Sequence, residues 1–344
     1  MGVEEDNSGQ DIYRIFGSEM SPYSVKVRSF FRFKGIPHEW IVRSPANEDE
    51  FKQYAKLPLI PLVVTPDKEG MQDSTPIIEK LDLLYPEPGL QPTDPVLAFL
   101  SALIEEYADE WVNKHMFHYR WWRDEDKAAA AQRIAADNVP DGDAQTRAQV
   151  AQMVAERMGP RLSFVGSSEA TKDLIEGSFL EMLGLVERHL EHRSYLFGER
   201  PCLADFGLFA QVYEASTDPT AGAIIAERGY HISRWVERML TPPKPKGSAK
   251  FESYGELAPT LVPLLREEIA KRFLPWSAAN ARALEEGRES FSVELKGGTF
   301  SQAPQKYHAR SLGVLRQKYA SVESNDELAE ILSHTGCLTY LKAA

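Results

Sequence analysis

Cysteine is almost absent from the sequence. Only Cys202 and Cys337 occur in 344 residues, too few and too far apart to suggest a disulfide framework or a cysteine zinc site. His115 and His118 could share one helical face, but no acidic or cysteine partner joins them at a telling spacing, so we expect no metal. Any thiol chemistry must therefore use a thiol that a ligand brings.

Basic residues are fewer than acidic ones. Lys and Arg number 39 against 51 Asp and Glu, which gives a formal net charge of -12. This charge repels phosphate backbones and anionic lipid headgroups, so we expect neither a nucleic-acid nor a membrane partner. The sequence contains no apolar run near the roughly 18 residues of a membrane span, and its acidic, polar start is unlike a secretory signal. These absences predict a cytoplasmic protein.

Phosphate-binding and hydrolase signatures are missing as well. There is no Walker loop, no dinucleotide-binding glycine fingerprint and no GxSxG elbow. What the chain does have is apolar content, with 43% hydrophobic and 10% aromatic residues. At this length, beyond roughly 250 to 300 residues, we expect two or more folded units.

The first unit reads as a strand, a helix and a second strand. Residues 12–16 are an apolar strand, and Ser21 followed by Pro22 begins an amphipathic helix that ends at Gly35. Residues 38–42 form the next strand, and the crossover between the two implies parallel pairing.

A second pattern of elements follows. It predicts a short helix at 47–56, a strand at 59–64 interrupted only by Pro61, a turn at 66–70, a brief returning strand and a helix from Asp73-Ser74. This order, βαβ then αββα, is that of the thioredoxin fold. Four prolines between residues 86 and 95 then mark a linker.

Helical patterns dominate the rest of the chain. A long helix at 95–123 carries an apolar and aromatic stripe that includes Trp111 and His115. The other predicted helices and one hairpin are at 127–136, about 144–158, 169–192, 203–216, 231–240, 259–286, 291–302 (the hairpin), 304–320 and 326–333.

Five short motifs together resemble the cytosolic glutathione S-transferase superfamily: SPYS at 21–24, Ile60-Pro61, Asp73-Ser74, PCLADFGLF at 201–209 and ISRWVERM at 232–239. The resemblance implies an α/β thioredoxin-like, glutathione-binding domain at 11–90 and an all-helical substrate domain at 95–240. Residues 241–344 are longer than the family's usual ending, and we expect a mainly helical extension of unassigned role.

By the resemblance, Ser21 is the catalytic residue. Related classes have either Cys or Ser there; a Cys forms mixed disulfides, whereas a Ser donates a hydrogen bond that favours the glutathione thiolate. Ser21 could instead be only a helix cap. Ser18, Ser24 and Tyr23 are rival hydroxyls.

The resemblance also implies that Ile60, Pro61, Asp73 and Ser74 hold glutathione. A residue before a cis proline exposes its backbone to the cysteinyl part, and a helix N-terminus receives the γ-glutamyl carboxylate. Each has a plainer interpretation: Pro61 limits an edge strand, and Ser74 caps a helix.

A second pocket would bind a small hydrophobic substrate. Its candidate residues are Tyr23, Trp111 and His115, with Arg120 and Arg123 as anchors for an anionic group, although such a stripe is more commonly core. Asp205 is expected to close a capping box with Cys202.

The resemblance therefore implies a detoxifying glutathione S-transferase that acts on a small apolar electrophile and is a homodimer, as family members commonly are, and we expect it to be cytoplasmic. Two alternatives stay open: a non-catalytic glutathione-binding or interaction protein, and a glutathione-dependent reductase or isomerase.

Overall fold

The computed structural model describes residues 12–247 and 249–342. The expected domain start at residue 11 and the last two residues of the expected extension lie outside these ranges. The N-terminal elements are β1 (Tyr13–Gly17), α1 (Pro22–Lys34), β2 (His38–Val42), a 3₁₀ turn (Pro45–Asn47), α2 (Glu48–Tyr54), β3 (Leu62–Val64), β4 (Gly70–Gln72) and α3 (Ser74–Leu84).

The four strands form one mixed sheet in the order β2-β1-β3-β4. β1 is parallel to β2, and β3 is antiparallel to both β1 and β4. This arrangement is the predicted thioredoxin-like fold, with α1 and α3 packed on the sheet through Val27, Ile77 and Ile78.

Helix α1 begins and ends as its sequence predicts. Ser21 is the N-cap, Pro22 occupies the first helical position, and Gly35 takes a left-handed conformation with φ of 67°. Gly17, just before the loop into α1, has no room for a side chain, because a methyl group there would lie 2.5 Å from Trp40. Close packing therefore fixes the path of the chain into Ser21.

Strand β3 starts later than predicted, at Leu62 instead of residue 59. Pro61 has no N–H to give to the sheet. In the loop before β3, at residues 56–59, backbone groups bond to the side chain of Gln72 instead of to a neighbouring strand. That amide accepts from the N–H groups of Lys56 and Leu57 and donates to the carbonyls of Leu57 and Leu59.

The second region is all helical. It consists of α4 (Pro95–Tyr107), a π-helical segment (Ala108–Val112), α5 (Asn113–Trp122), α6 (Asp124–Asn138), α7 (Ala144–Met158), a 3₁₀ segment (Gly159–Val165), α8 (Lys172–Leu190), α9 (Leu203–Ser216), α10 (Pro219–Arg228) and α11 (Tyr230–Leu240). α10 was not predicted. α9 joins this region to α1, because Phe206 packs against both Phe30 and Phe33 with ring centroids 6.0 and 5.7 Å apart.

Asp205 stabilises the start of α9. Its carboxylate accepts from the backbone N–H of Cys202 at 3.0 Å, which confirms the predicted capping box. It also accepts from the N–H of Leu196 at 2.8 Å and from Trp235 Nε1 at 2.9 Å. One buried carboxylate thus connects α9 with α11 and the loop before α9.

The C-terminal tail, residues 249–342, packs onto the helical region. Its elements are α12 (Tyr254–Leu264), a π-helical segment (Leu265–Phe273), α13 (Leu274–Glu285), β5 (Phe291–Leu295), β6 (Gly298–Gln302), α14 (Lys306–Ala320), α15 (Asp326–Thr335) and α16 (Leu338–Leu341). β5 and β6 form the predicted antiparallel hairpin. Trp276 and Phe300 pack on Trp111, and Tyr319 of α14 packs on Phe99 of α4, so the tail shares the core of the helical region.

Across residues 12–247 and 249–342, none of the helices has both the length and the apolar content needed to cross a membrane.

Candidate functional site

Three of the predicted segments meet at one end of the sheet. Phe16, near the end of β1, pairs with Leu62 at the start of β3, and Leu62 in turn pairs with Gln72 at the end of β4. The loop to Ser21 follows β1, Ile60-Pro61 precedes β3, and Asp73-Ser74 follows β4. The register therefore brings these three segments to the same edge.

Ser21 presents its hydroxyl at the N-terminus of α1. Its Oγ accepts from the N–H of Ser24 at 3.3 Å, and no acceptor for its own O–H lies among the residues that the structure describes. The side chain is partly exposed. The hydroxyl can therefore donate to a ligand, beside a helix terminus that favours negative charge.

The rival hydroxyls are less available than that of Ser21. Tyr23 donates to the carbonyl oxygen of Asp109 at 2.9 Å, and burial raises its pKa well above the usual value. Ser24 is completely buried. The Oγ of Ser18 accepts from the N–H of Met20 at 3.0 Å and so helps to shape the loop.

Ile60 offers an unpaired backbone. The Ile60-Pro61 bond is cis, and within the described ranges neither the N–H nor the C=O of Ile60 has a hydrogen-bond partner. The neighbouring Leu57 and Leu59 are 57% and 60% exposed. This edge thus combines an open backbone donor and acceptor with apolar surface.

Asp73 and Ser74 begin α3 in an unusual backbone conformation. Asp73 has a φ of 79°, and holding a residue other than glycine there costs on the order of 1–3 kcal/mol, a strain that tends to occur at functional sites. Burial raises the pKa of Asp73, and its carboxylate accepts from the hydroxyl of Tyr307 in α14 at 3.3 Å. Ser74 is buried in the first turn, where free N–H groups can receive an anion.

A buried cation lies beneath the site. Lys26 Nζ donates to Thr75 Oγ1 at 3.1 Å and to Asp109 Oδ2 at 2.6 Å, and it also pairs with Glu105. Burial lowers the pKa of Lys26, but Asp109 and Glu105 outweigh that effect and raise it. Burial raises the pKa of Asp109 to about 7, against the influence of Lys26. This cluster ties α1, α3 and α4 together.

Trp111 and His115 lie elsewhere. Both are buried; Trp111 Nε1 donates to Ser178 Oγ at 3.0 Å, and His115 Nε2 lies 2.9 Å from the same oxygen. They contact α8 and the tail rather than the end of the sheet, because they occupy a different face of the helix from Asp109. Their role in substrate binding stays a prediction that would require the tail to move.

Sequence reasoning missed two residues on the other face. Asn113 and Phe117 are partly exposed, one turn apart, and Asn113 Nδ2 donates to Gln211 Oε1 at 3.4 Å, where Gln211 also interacts with Tyr23. Asn113 and Phe117 are four positions apart, a spacing that places both on one face of a helix. The aromatic stripe that includes Trp111 and His115 marks a different face, so the sequence pattern favoured that stripe instead.

Arg120 is used to hold the structure. It donates to the carbonyl of Met20 at 2.8 Å and pairs with Glu214 and Asp218, both at 2.7 Å. It therefore fixes the loop before Ser21, and its charge is already neutralised.

Family models match both halves of this architecture. Residues 15–89 match the description "Glutathione S-transferase, N-terminal domain", and residues 147–238 match "Glutathione S-transferase, C-terminal domain". The chain belongs to the glutathione S-transferase superfamily. The family's N-terminal model covers all three segments that meet at the end of the sheet.

A curated glutathione S-transferase-like relative is the uncharacterized protein YibF of Escherichia coli K12. It is 33% identical over 97 residues, which are 28% of this chain and 48% of YibF. The chain thus spans about half the length of the relative that it matches.

Several solved glutathione S-transferase structures are similar to this chain. The Methylobacterium radiotolerans enzyme, in complex with glutathione sulfonate, is 20% identical with a TM-score of 0.42, over 70% of this chain and 99% of that chain. The β-etherase LigF of Sphingobium is 19% identical with a TM-score of 0.44, over 67% and 96%.

Proposed function

We propose that the protein binds glutathione at the end of the sheet and directs its thiolate at a small apolar electrophile. The observation that carries this proposal is the strand register, which assembles Ser21, Ile60-Pro61 and Asp73-Ser74 at one edge in a chain of this family. Each segment offers what one part of the tripeptide requires.

Ile60 would pair with the cysteinyl part through its free N–H and C=O, with Pro61 fixing the bend, while Asp73 and the first turn of α3 would hold the γ-glutamyl end. The hydroxyl of Ser21 would then donate to the sulfur and favour thiolate over thiol. The thiolate attacks the electrophilic carbon, a sulfur–carbon bond forms, and any leaving group departs with its bonding electrons.

Apolar surface beside the site supports an apolar second substrate. Leu57 and Leu59, which lie just before Ile60 along the chain, are exposed. A reductase that uses a protein thiol is less well supported, because Cys202 and Cys337 are both buried. Burial raises the pKa of both thiols, that of Cys337 to about 12, and a thiol of raised pKa is a poor nucleophile.

Glutathione binding is tested by calorimetric titration of the wild type and of Ser74→Ala. Loss of the hydroxyl should weaken binding by roughly tenfold to a hundredfold, since a hydrogen bond to a charged group is worth roughly 1.5–3 kcal/mol. Ser253→Ala, which alters another serine at a helix start, is the matched control and should bind as the wild type does. No heat of binding in the wild type would refute the proposal.

A turnover assay distinguishes a conjugating transferase from a non-catalytic glutathione-binding protein and from a glutathione-dependent reductase or isomerase. The wild type is assayed against a panel of electrophiles while glutathione is quantified. Conjugation should consume glutathione; binding without any turnover would favour the interaction protein, and turnover without consumption would favour the isomerase or reductase. Dimerisation remains a proposal that light scattering checks.

A further inference from the structure

A small cavity lies where the tail meets the two domains. It has a volume of about 60 Å³ and is bounded by the start of α3, by the end of α4 together with the π-helical segment after it, and by α14. Asp73 and Thr75 are on the first wall, Glu106 and Asp109 on the second, and Arg310 on the third. It therefore adjoins the helix start assigned above to the γ-glutamyl end of glutathione.

One wall carries buried carboxylates that are not satisfied. Glu106 is 8% exposed, and its side chain has no hydrogen-bond or ion-pair partner among residues 12–247 and 249–342. Asp109 is 9% exposed; its Oδ2 accepts from Lys26, but its Oδ1 is buried without a partner. Buried carboxylate oxygens are nearly always paired, so Asp109 Oδ1, with the carboxylate of Glu106 lining the same cavity, indicates a missing cationic or hydrogen-bonding group.

The third wall carries an exposed cation, Arg310, whose charge acts on the carboxylate of Asp73. The guanidinium of Arg310 makes no hydrogen bond or ion pair with any described residue, although it borders the cavity. Its neighbour Lys318 is already paired with Glu79 at 2.6 Å. Arg310 is thus the cavity's available anion-binding group within the described part of the chain.

Helix α14 is fixed in place around Arg310. Tyr307 donates to Asp73, His308 pairs with Glu110, and Ser311 Oγ donates to Glu110 Oε1 at 3.1 Å. These contacts lie on both sides of position 310 along the helix. The helix that carries Arg310 is therefore fixed in place, and its exposed guanidinium borders the cavity.

We propose that the tail completes the γ-glutamyl subsite: Arg310 binds the α-carboxylate of glutathione, while Glu106 and Asp109 bind its ammonium group. This subsite rests on the glutathione-binding function proposed above. It adds residues from outside the N-terminal domain to the glutathione site. The γ-glutamyl end carries an ammonium and a carboxylate on one carbon, which matches the acidic and basic side chains that line different walls of the cavity.

Size and chemistry agree with that occupant. The volume of about 60 Å³ has room for one charged group of that head at a time, with the rest of the head at the rim. No group of three or more Asp, Glu, His or Cys side chains in the described ranges is arranged to hold a metal ion. Burial and the neighbouring Glu105 raise the pKa of Glu106, and an ammonium in the cavity would offset both effects.

The test uses the full-length protein and three ligands in calorimetric titrations. They are glutathione, glutaryl-cysteinylglycine, which lacks the ammonium, and 4-aminobutyryl-cysteinylglycine, which lacks the α-carboxylate. Arg310→Gln should bind glutathione about tenfold more weakly but bind the aminobutyryl ligand as the wild type does. Glu106→Gln should weaken glutathione similarly and leave the glutaryl ligand unchanged. Lys306→Ala, an exposed cation on the same helix, should match the wild type with every ligand.

The outcomes separate this inference from the proposed function. If glutathione binds and Ser74→Ala weakens it, but Arg310→Gln and Glu106→Gln bind all three ligands normally, the tail subsite is wrong and the glutathione site stands. Equal losses for all three ligands would show a structural effect and would also overturn the subsite. No glutathione binding by the wild type would overturn both.

Discussion

Replacing Ser21 with alanine is expected to slow conjugation by roughly tenfold to a hundredfold at saturating electrophile, with glutathione affinity almost unchanged. The hydroxyl donates to the sulfur, and a hydrogen bond to an ionised group is worth about one to two pKa units. The thiol pKa in the complex should rise by that amount, so less thiolate is present near neutral pH. Affinity is conserved because Ile60 and the start of α3 hold the rest of the tripeptide.

The measurement is the rate of conjugation as a function of pH, together with calorimetric affinity. Ser18→Ala is the matched control, since Ser18 lies in the same loop and only accepts from the N–H of Met20. Loss of the helix cap costs about 1 kcal/mol, so unfolding of each variant is followed at the assay temperature. Identical pH–rate profiles for the wild type and Ser21→Ala would remove Ser21 from the mechanism.

Lys26→Met is expected to destabilise the fold by about 3–5 kcal/mol near neutral pH. Lys26 is fully buried between Glu105 and Asp109, and removing one partner of a buried ion pair leaves an uncompensated charge. The free energy of unfolding in denaturant measures the loss. Lys52→Met is the control, because Lys52 is exposed and lies 3.6 Å from Glu48, and such surface pairs contribute little.

This loss should depend on pH in a defined direction. Burial already raises the pKa of Asp109 from 3.8 to about 7, and without Lys26 it would rise further. The folded variant then binds a proton that the unfolded chain releases at its lower pKa. The contribution of Asp109 to the variant's stability is therefore fully present below about pH 4 and is lost as the pH rises through the folded-state pKa, which lies above 7. A variant as stable as the wild type at about pH 8 would contradict this account of the cluster.

The N-terminal domain was predictable because local chemistry determines its elements. Ser21, Pro22 and Gly35 set the bounds of α1 through capping and φ preferences, and the structure reproduces those bounds. The start of β3 was not predictable in the same way. It depends on the contact of Gln72 with the loop at 56–59, which a sequence pattern does not reveal.

The role of the tail was beyond sequence reasoning for a related reason. Periodicity identifies which face of a helix is buried but not which element covers it. Trp111 lies on the stripe that the sequence predicts to be apolar, yet the residues that cover it, Trp276 and Phe300, follow more than 150 positions later. The contact between His308 and Glu110 is of the same kind.

π-helical segments were also missed. Residues Ala108–Val112 and Leu265–Phe273 interrupt long helices, and their apolar pattern differs too little from that of an α-helix to be recognised. The first of them carries Asp109, which contributes to the proposed γ-glutamyl subsite. Such segments are rare and frequently lie at functional sites.

A crystal structure with bound glutathione tests the central claim most directly. The account predicts the tripeptide at the end of the sheet, its cysteinyl backbone paired with Ile60, its sulfur within hydrogen-bond reach of Ser21 Oγ and its γ-glutamyl group at the start of α3. Glutathione bound elsewhere, or at this edge with its sulfur turned away from Ser21, would contradict the account.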